Sequence, residues 1–396
     1  MALFCHWTED VIDHTPASRK LLGQFPLRAL LLAGEEDVVL LPEWDDLPPE
    51  IVLLNKLKIG PRPWNVRTDF SGLAGMAICP FSGTSKHLRD MAWEADCLLD
   101  APTLEICRKA NDKGEFQTAC GSLPEARVPF GFSCRPEEVA DAVQIIHERG
   151  YSARIKAVQS ASGLKQAVIY PGSPVVLPNG HTDDDSPDPD THYVVQTQHD
   201  CDVDASVQFF IRQDGRLELG PITRQYVDAG GHHFGNTLLV ARWISADLQT
   251  AMIRATRTIV ARIWDKFKYH GHGSVDFVCN TKDGEVYAVE VNARVTAATY
   301  PLDAAKTWYG RDTVLPFDMR SFRVPYGVSI EKLAEIFSGL LFDRERRTGF
   351  VPFCFLPTAF PEEEMGFSYG VCFAPSEEEL LTLVSRVEEQ KRCLLA

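Results

Sequence analysis

At 396 residues, 45% hydrophobic and 24% charged, the chain has room for two or three domains with substantial cores and the composition of a globular protein. A formal net charge of −15 excludes general nucleic-acid binding, which needs basic patches, but allows one nucleotide held by a metal and a few lysines. Eleven cysteines without a C-x-x-C pair suggest neither a zinc site nor a disulfide framework.

MALFCHWTEDVIDH has no basic region ahead of an apolar core, and no apolar run of about 18 residues occurs, so a reduced, cytoplasmic protein without a membrane partner is expected. Residues 1 to about 105 alternate apolar pieces with polar ones. Leu27–Ala33, Val38–Pro42 and Ile51–Leu54 read as buried strands, punctuated by Pro48-Pro49 and Pro61–Pro63, which suggests a small α/β domain. Gly83-Thr84-Ser85-Lys86 lacks the spacing of a phosphate loop and reads as an ordinary turn.

Asn111-Asp112-Lys113, Phe116 and Val128-Pro129-Phe130-Gly131 open a new segment. Ser133 is expected to cap a helix with Pro136, Glu137 and Glu138 in its first turn, Val139, Val143 and Ile146 as its apolar stripe and Gly150 at its end. Tyr151–Val158 then alternates as a strand with Lys156 near its end. The small-residue loop Gln159–Lys165, containing Ser162 and Gly163, follows before Gln166–Tyr170. A lysine supplies a point charge there, and loop N–H groups can close over anionic oxygens. Asn179–His192 is acidic, carries two prolines and is too polar to build a core, so it reads as a mobile loop; the calcium-loop spacing is missing.

Tyr193–Gln196 is a strand leading to Thr197-Gln198-His199-Asp200, and Asp204 precedes the strand Ala205–Arg212. Gly220–Gln225 leads into Asp228–Asn236, whose glycines, two histidines and an amide could line an acceptor pocket, with Arg224 able to grip a carboxylate in two-pronged fashion and a plain loop as the alternative. Leu248, Met252, Ile259 and Ile263 give Ala246–Lys268 a helical period.

The most informative stretch is Gly271–Tyr300. Strands Ser274–Cys279 and Val286–Val291 flank a turn of Lys282, Asp283 and Gly284, where glycine takes the left-handed position. Setting Thr281 opposite Glu285 places Asp276 opposite Glu290. Alternation puts Glu290, Asn292 and Arg294 on one face beside Asp276. Adjacent like charges destabilise a sheet unless neutralised, and Asp/Glu/Asn oxygens suit Mg²⁺.

Asp276, Phe277, Asp283, Gly284, Tyr287, Glu290, Asn292 and Arg294 resemble the metal-binding hairpin of the ATP-grasp superfamily. The resemblance covers about residues 105–306. It implies a mixed α+β and α/β chain: a pre-ATP-grasp domain over 1–105, an ATP-grasp domain over 106–306 with a lid at about 134–215, and a C-terminal extension over 307–396. Asp276, Glu290 and Asn292 would hold two Mg²⁺ ions, with Mn²⁺ as a substitute, on ATP. Lys113 and Lys156 would meet its phosphates. The stretch Gln196–His199 (Gln196, Thr197, Gln198, His199) would read adenine, Asp204 would bind ribose, and Arg294 would steady a phosphate or carboxylate. Ser274 replaces the arginine that D-alanine ligases carry there, so no D-alanine substrate is inferred.

The implied activity is a carboxylate–amine ligase that makes an acyl phosphate and releases ADP and phosphate. Its small-molecule acid and amine would be amino acids or a peptide, with a homodimer allowed for. A carrier-protein thiol as acceptor and a nucleotide sensor without turnover are the rival readings; a biotin-dependent carboxylase is set aside because no biotinyl-lysine segment is present.

Overall fold

The structure is a computed structural model of the chain, describing residues 2–5, 24–41, 47–158, 166–178, 192–228 and 231–395. It divides into two compact units. The first comprises Met1–Ala101, Gly235–Leu239 and Val295–Ala396; the second comprises Pro102–Phe234 and Val240–Arg294. Among the described residues no helix is long and apolar enough to cross a membrane.

Strands β1 (Ala2–Cys5), β2 (Val38–Leu40), β3 (Val66–Arg67), β4 (Ala77–Pro80) and β5 (Leu98–Leu99) form a parallel sheet in the order β3-β2-β1-β4-β5. Two expected strands are helices instead: α1 (Gln24–Leu32) and α2 (Glu50–Lys56). Leu27–Ala33 contains no β-branched residue, and leucine and alanine lose little freedom in a helix. Pro49 at the N-cap and Glu50 in the first turn start α2, and Asn55 Nδ2 donates to Ile51 O at 2.9 Å. Ser85 caps α3 (Lys86–Glu94), accepting from the Leu88 N–H, which accounts for the Gly83–Lys86 turn.

The second unit begins with α4 (Leu104–Asn111) and α5 (Lys113–Cys120). Strands β6 (Gly131–Cys134), β7 (Ser152–Ala157), β8 (Gln166–Ile169) and β9 (Tyr193–Gln198) make a small antiparallel sheet in the order β6-β9-β7-β8. Helix α6 (Val139–Glu148) covers one face, burying Val139, Val143 and Ile146 against Ala153, Ile155 and Val195. Ser133 lies within β6 and does not cap this helix; a single tight turn at Pro136–Glu138 leads in, and Glu138 Oε2 accepts from the Arg135 N–H at 2.8 Å.

Strands β10 (Val203–Ile211), β11 (Leu217–Val227) and β12 (His233–Thr237) follow, then α7 (Ala246–Phe267), β13 (Gly271–Asn280) and β14 (Glu285–Asn292). Gly220–Gln225 lies inside β11. In the second unit the order is β14-β13-β10-β11, and α7 packs Met252, Ile259 and Ile263 with Ala205, Val207, Val275 and Phe277 on one side of these strands. The opposite side is polar.

The first unit is completed by α8 (Thr299–Tyr309), β15 (Phe317–Pro325), α9 (Ile330–Ile336), β16 (Gly349–Phe360), β17 (Met365–Phe373) and α10 (Glu377–Leu395), with the strand order β12-β15-β17-β16. Residues 307–396 do not stand apart as an extension. Phe317, Phe353 and Phe373 share one core with Leu27, Leu30 and Val39.

Among the charged side chains that unit buries are Arg28 and Glu50. Arg28 lies over the Tyr369 ring at 4.2 Å and near Tyr300 at 5.8 Å. Glu50 is fully buried; its Oε1 accepts from the Phe355 N–H at 3.2 Å, while Oε2 has no partner among the described residues. Burial pushes the Glu50 carboxyl up to about 7. The neutral acid is therefore favoured in the fold, and its contribution is lost as pH rises from the ordinary carboxylate range to about 7. A shift of this size is worth roughly 3 kcal/mol. Thermal unfolding of wild type and Glu50→Gln between pH 4 and 9 should give curves that diverge across that window and run parallel above it; a constant difference would contradict the assignment.

Candidate functional site

The polar face of the second unit is set by the β13–β14 hairpin. Its turn takes four residues, Thr281–Gly284, one more than expected, because Asn280 and not Thr281 opposes Glu285. Asn280 folds over the turn: its Oδ1 accepts from the N–H groups of Lys282 (3.1 Å) and Asp283 (3.0 Å), and its Nδ2 donates to Asp283 Oδ2 at 2.8 Å. Gly284 takes the left-handed position, φ 69°.

This longer turn alone would have set Asp276 opposite Val289. A bulge intervenes. Phe277 opposes Ala288, yet Asp276 opposes Glu290, so Val289 is the extra residue. The bulge shifts the alternation of β14, keeping Ala288 and Val291 in the core and turning Glu290 and Asn292 to the polar side. The expected Asp276–Glu290 pairing thus holds, by a different route from simple counting.

A row of side chains, Thr223, Ser206, Asp276 and Glu290, crosses the four strands. Asp276 Oδ1 accepts from Ser274 Oγ (2.9 Å), and Oδ2 accepts from Asn292 Nδ2 (2.9 Å) and Gln225 Nε2 (3.1 Å). Asn292 Oδ1 accepts from an Arg294 guanidinium N–H at 2.7 Å. Lys113, the first residue of α5, places Nζ 3.4 Å from Glu290 Oε2. Asp112 caps that helix by accepting from the Glu115 N–H at 2.9 Å. Ser274 and Gln225 carried no role in the sequence reading; the Ser-x-Asp spacing signalled the first, whereas the second required the β10–β11 register.

The charges are unequal. Burial and then the neighbouring Glu290 push Asp276 up to about 7. Burial also works to raise Glu290, but Lys113, Lys156 and Arg294 outweigh it and hold that carboxyl below its ordinary value. Lys156, on β7, is lowered to about 8 by burial, with Glu290 opposing the shift. Two carboxylates and an amide oxygen, one carboxylate left without a full counter-charge, suit a hard divalent cation that completes its shell with phosphate and water. Among the described residues no group of three or more His, Cys, Asp or Glu side chains offers a metal site.

Gln196, Thr197, Gln198 and His199 already have partners inside the protein. Gln196 Nε2 donates to Gln117 Oε1 (2.7 Å), the Thr197 N–H donates to Phe130 O (2.8 Å), and Gln198 Oε1 accepts from Arg154 Nε (2.6 Å). The His199 ring stacks on Tyr287 at 3.8 Å. Asp204 neighbours Ser206 along β10, and its carboxyl is raised by burial against the fields of Arg154, Arg224 and Lys156. Arg224 pairs with core-facing Ala205, so it alternates away from Thr223 and Gln225. Its guanidinium lies over Trp243 at 3.7 Å, not among the Asp276 group. Ser162 and Gly163, with the rest of their loop, and Asn179–Thr191 of the acidic run lie outside the described residues.

No protein-family model matches the sequence, and no curated protein matches it. Solved structures do match. N5-carboxyaminoimidazole ribonucleotide synthetase from Thermus thermophilus is similar with a TM-score of 0.54 at 13% identity, covering 98% of both chains. N5-carboxyaminoimidazole synthase from Aspergillus clavatus, in complex with ADP and an aminoimidazole ribonucleotide, gives 0.55 at 11% identity over 91% of this chain and 100% of that one. Biotin carboxylase from Campylobacter jejuni, solved with an ATP ligand, gives 0.50 at 12% identity over 77% and 72%.

The charge balance yields a stability test in metal-free buffer. Asp276→Asn removes the destabilised carboxylate and should leave the unfolding temperature equal or higher. Glu290→Gln strands Lys113 and Lys156 and should cost about 1–3 kcal/mol. An Asp276→Asn protein less stable than Glu290→Gln would contradict the electrostatic assignment.

Proposed function

We propose that this chain, which has the ATP-grasp fold of the solved enzymes above, is an ATP-dependent ligase. It transfers the γ-phosphoryl group of ATP to a carboxylate and passes the acyl group to an amine. The observation carrying this reading is the convergence of Asp276, Glu290, Asn292, Lys113 and Arg294 on one polar face, with Lys156 close enough to act on Glu290.

A carboxylate is a poor electrophile, and phosphorylation gives it a leaving group. Phosphoryl transfer asks a protein for positioning and charge neutralisation more than for covalent chemistry. Lys113 and Lys156 would grip phosphate oxygens, exchanging Glu290 as counter-ion for the nucleotide. Arg294, oriented by Asn292, would meet the developing acyl-phosphate charge. Asp276, Glu290 and Asn292 would hold Mg²⁺, which when bound neutralises the terminal phosphates.

The acid is tested first as bicarbonate, because the solved relatives in fold are named for carboxylation. Amino acids and peptides are tested second, the amine being supplied in each case.

The test is product identity. With Mg²⁺, ATP, an amine and a panel of acids, turnover should yield ADP and phosphate. For an organic acid, hydroxylamine should trap the acyl phosphate as a hydroxamate. Lys156→Ala should weaken ATP binding roughly 10- to 150-fold, the worth of about 1.5–3 kcal/mol for a hydrogen bond to a charged group. Stoichiometric AMP and pyrophosphate would overturn the mechanism.

A further inference from the structure

Asn292 and Arg294 flank Ala293, which lies just past the end of β14 and is fully buried. The Ala293 peptide is held instead by a side chain 182 residues away in sequence. Asn111 Oδ1 accepts from the Ala293 N–H at 2.8 Å, and Asn111 Nδ2 donates to Ala293 O at 3.1 Å. The same Nδ2 donates to Cys107 O at 2.7 Å, one turn back in α4. One carboxamide thus does for a single residue what a neighbouring strand does in a ladder: it accepts from the N–H and donates to the carbonyl.

The placement has consequences on both sides. Fixing the Ala293 peptide fixes the directions in which Asn292 and Arg294 leave the backbone, because successive side chains alternate about it. Asn111 is also the last residue of α4, followed by Asp112, which caps α5, and by Lys113, the partner of Glu290. Three consecutive residues therefore set the peptide between two site residues, the helix start, and the counter-ion of a third. Neither alanine nor leucine at 111 offers both a donor and an acceptor.

We infer that Asn111 is a positioning residue that aims Asn292 and Arg294 through the Ala293 peptide. This rests on the role given to Arg294 above, so the test includes a measurement independent of turnover. Amide hydrogen exchange at Ala293 should be slow in wild type despite its position beyond the strand. Asn111→Ala should speed it by about tenfold or more, the worth of one or two hydrogen bonds. Asn111→Asp keeps an acceptor for the N–H and should fall between the two. In turnover assays Asn111→Ala should lower kcat about tenfold while the affinity for ADP measured without Mg²⁺ stays within about twofold, because the aim of Asn292 and Arg294 is lost and the lysines remain.

Fast exchange at Ala293 in wild type overturns the inference even if neither variant folds. So does unchanged exchange in Asn111→Ala, or a loss of nucleotide affinity matching the loss of kcat. If no acid supports turnover in wild type, the ligase reading fails, and the exchange series still decides whether Asn111 holds this peptide.

Discussion

Between Ala288 and Val291 the strand β14 carries one residue more than its partner, and the polar face of the second unit depends on that surplus. Without it, Glu290 would point into a core built from Ala205, Val275 and Phe277, and Val289 would take its place beside Asp276. A carboxylate in that core would cost several kcal/mol or force protonation. Because register has a period of two, a one-residue offset is all or nothing. The bulge is therefore what allows a hairpin with an Asn280-capped turn to present Asp276, Glu290 and Asn292 together.

Once these groups face one another, they need opposite charge from elsewhere. Glu290 receives it from Lys113, Lys156 and Arg294, whereas Asp276 has neutral donors in Ser274, Asn292 and Gln225. The asymmetry gives the two carboxylates different work. Glu290 holds lysines that would release toward a phosphate; Asp276 carries the charge that a cation would satisfy. A tightly closed network of fixed ion pairs would not permit that exchange, and the 3.4 Å Lys113–Glu290 separation is a loose pair.

The hairpin was legible in the sequence because its chemistry lies in alternation: Glu290, Asn292 and Arg294 are two apart, and Ser274 and Asp276 are too. The turn length was not legible, since Asn280 replacing Thr281 as the residue opposite Glu285 depends on side-chain hydrogen bonds. Leu27–Ala33 illustrates a second limit. A short apolar run has no periodicity to separate strand from helix, and its composition of leucine and alanine decided the matter. The facing of Arg224 depends on its register with Ala205, which no local pattern shows. The grouping of residues 307–396 with the N-terminal segment rests on packing of Phe353 and Phe373 with Leu27 and Leu30, contacts that leave no local trace. Asn111 was quoted only as part of a motif; nothing near it in sequence names Ala293 as its partner.

The central claim is that Asp276 and Glu290 together hold the divalent cation that accompanies a nucleotide. Titrating Mn²⁺ into the protein with a non-hydrolysable ATP analogue, and reading free Mn²⁺ by electron paramagnetic resonance, tests it directly. Wild type should sequester the ion in the ternary complex, and Asp276→Asn and Glu290→Gln should each bind it at least about tenfold more weakly, the loss of one charged ligand. Equal affinity in wild type and both variants would place the cation elsewhere and contradict the account.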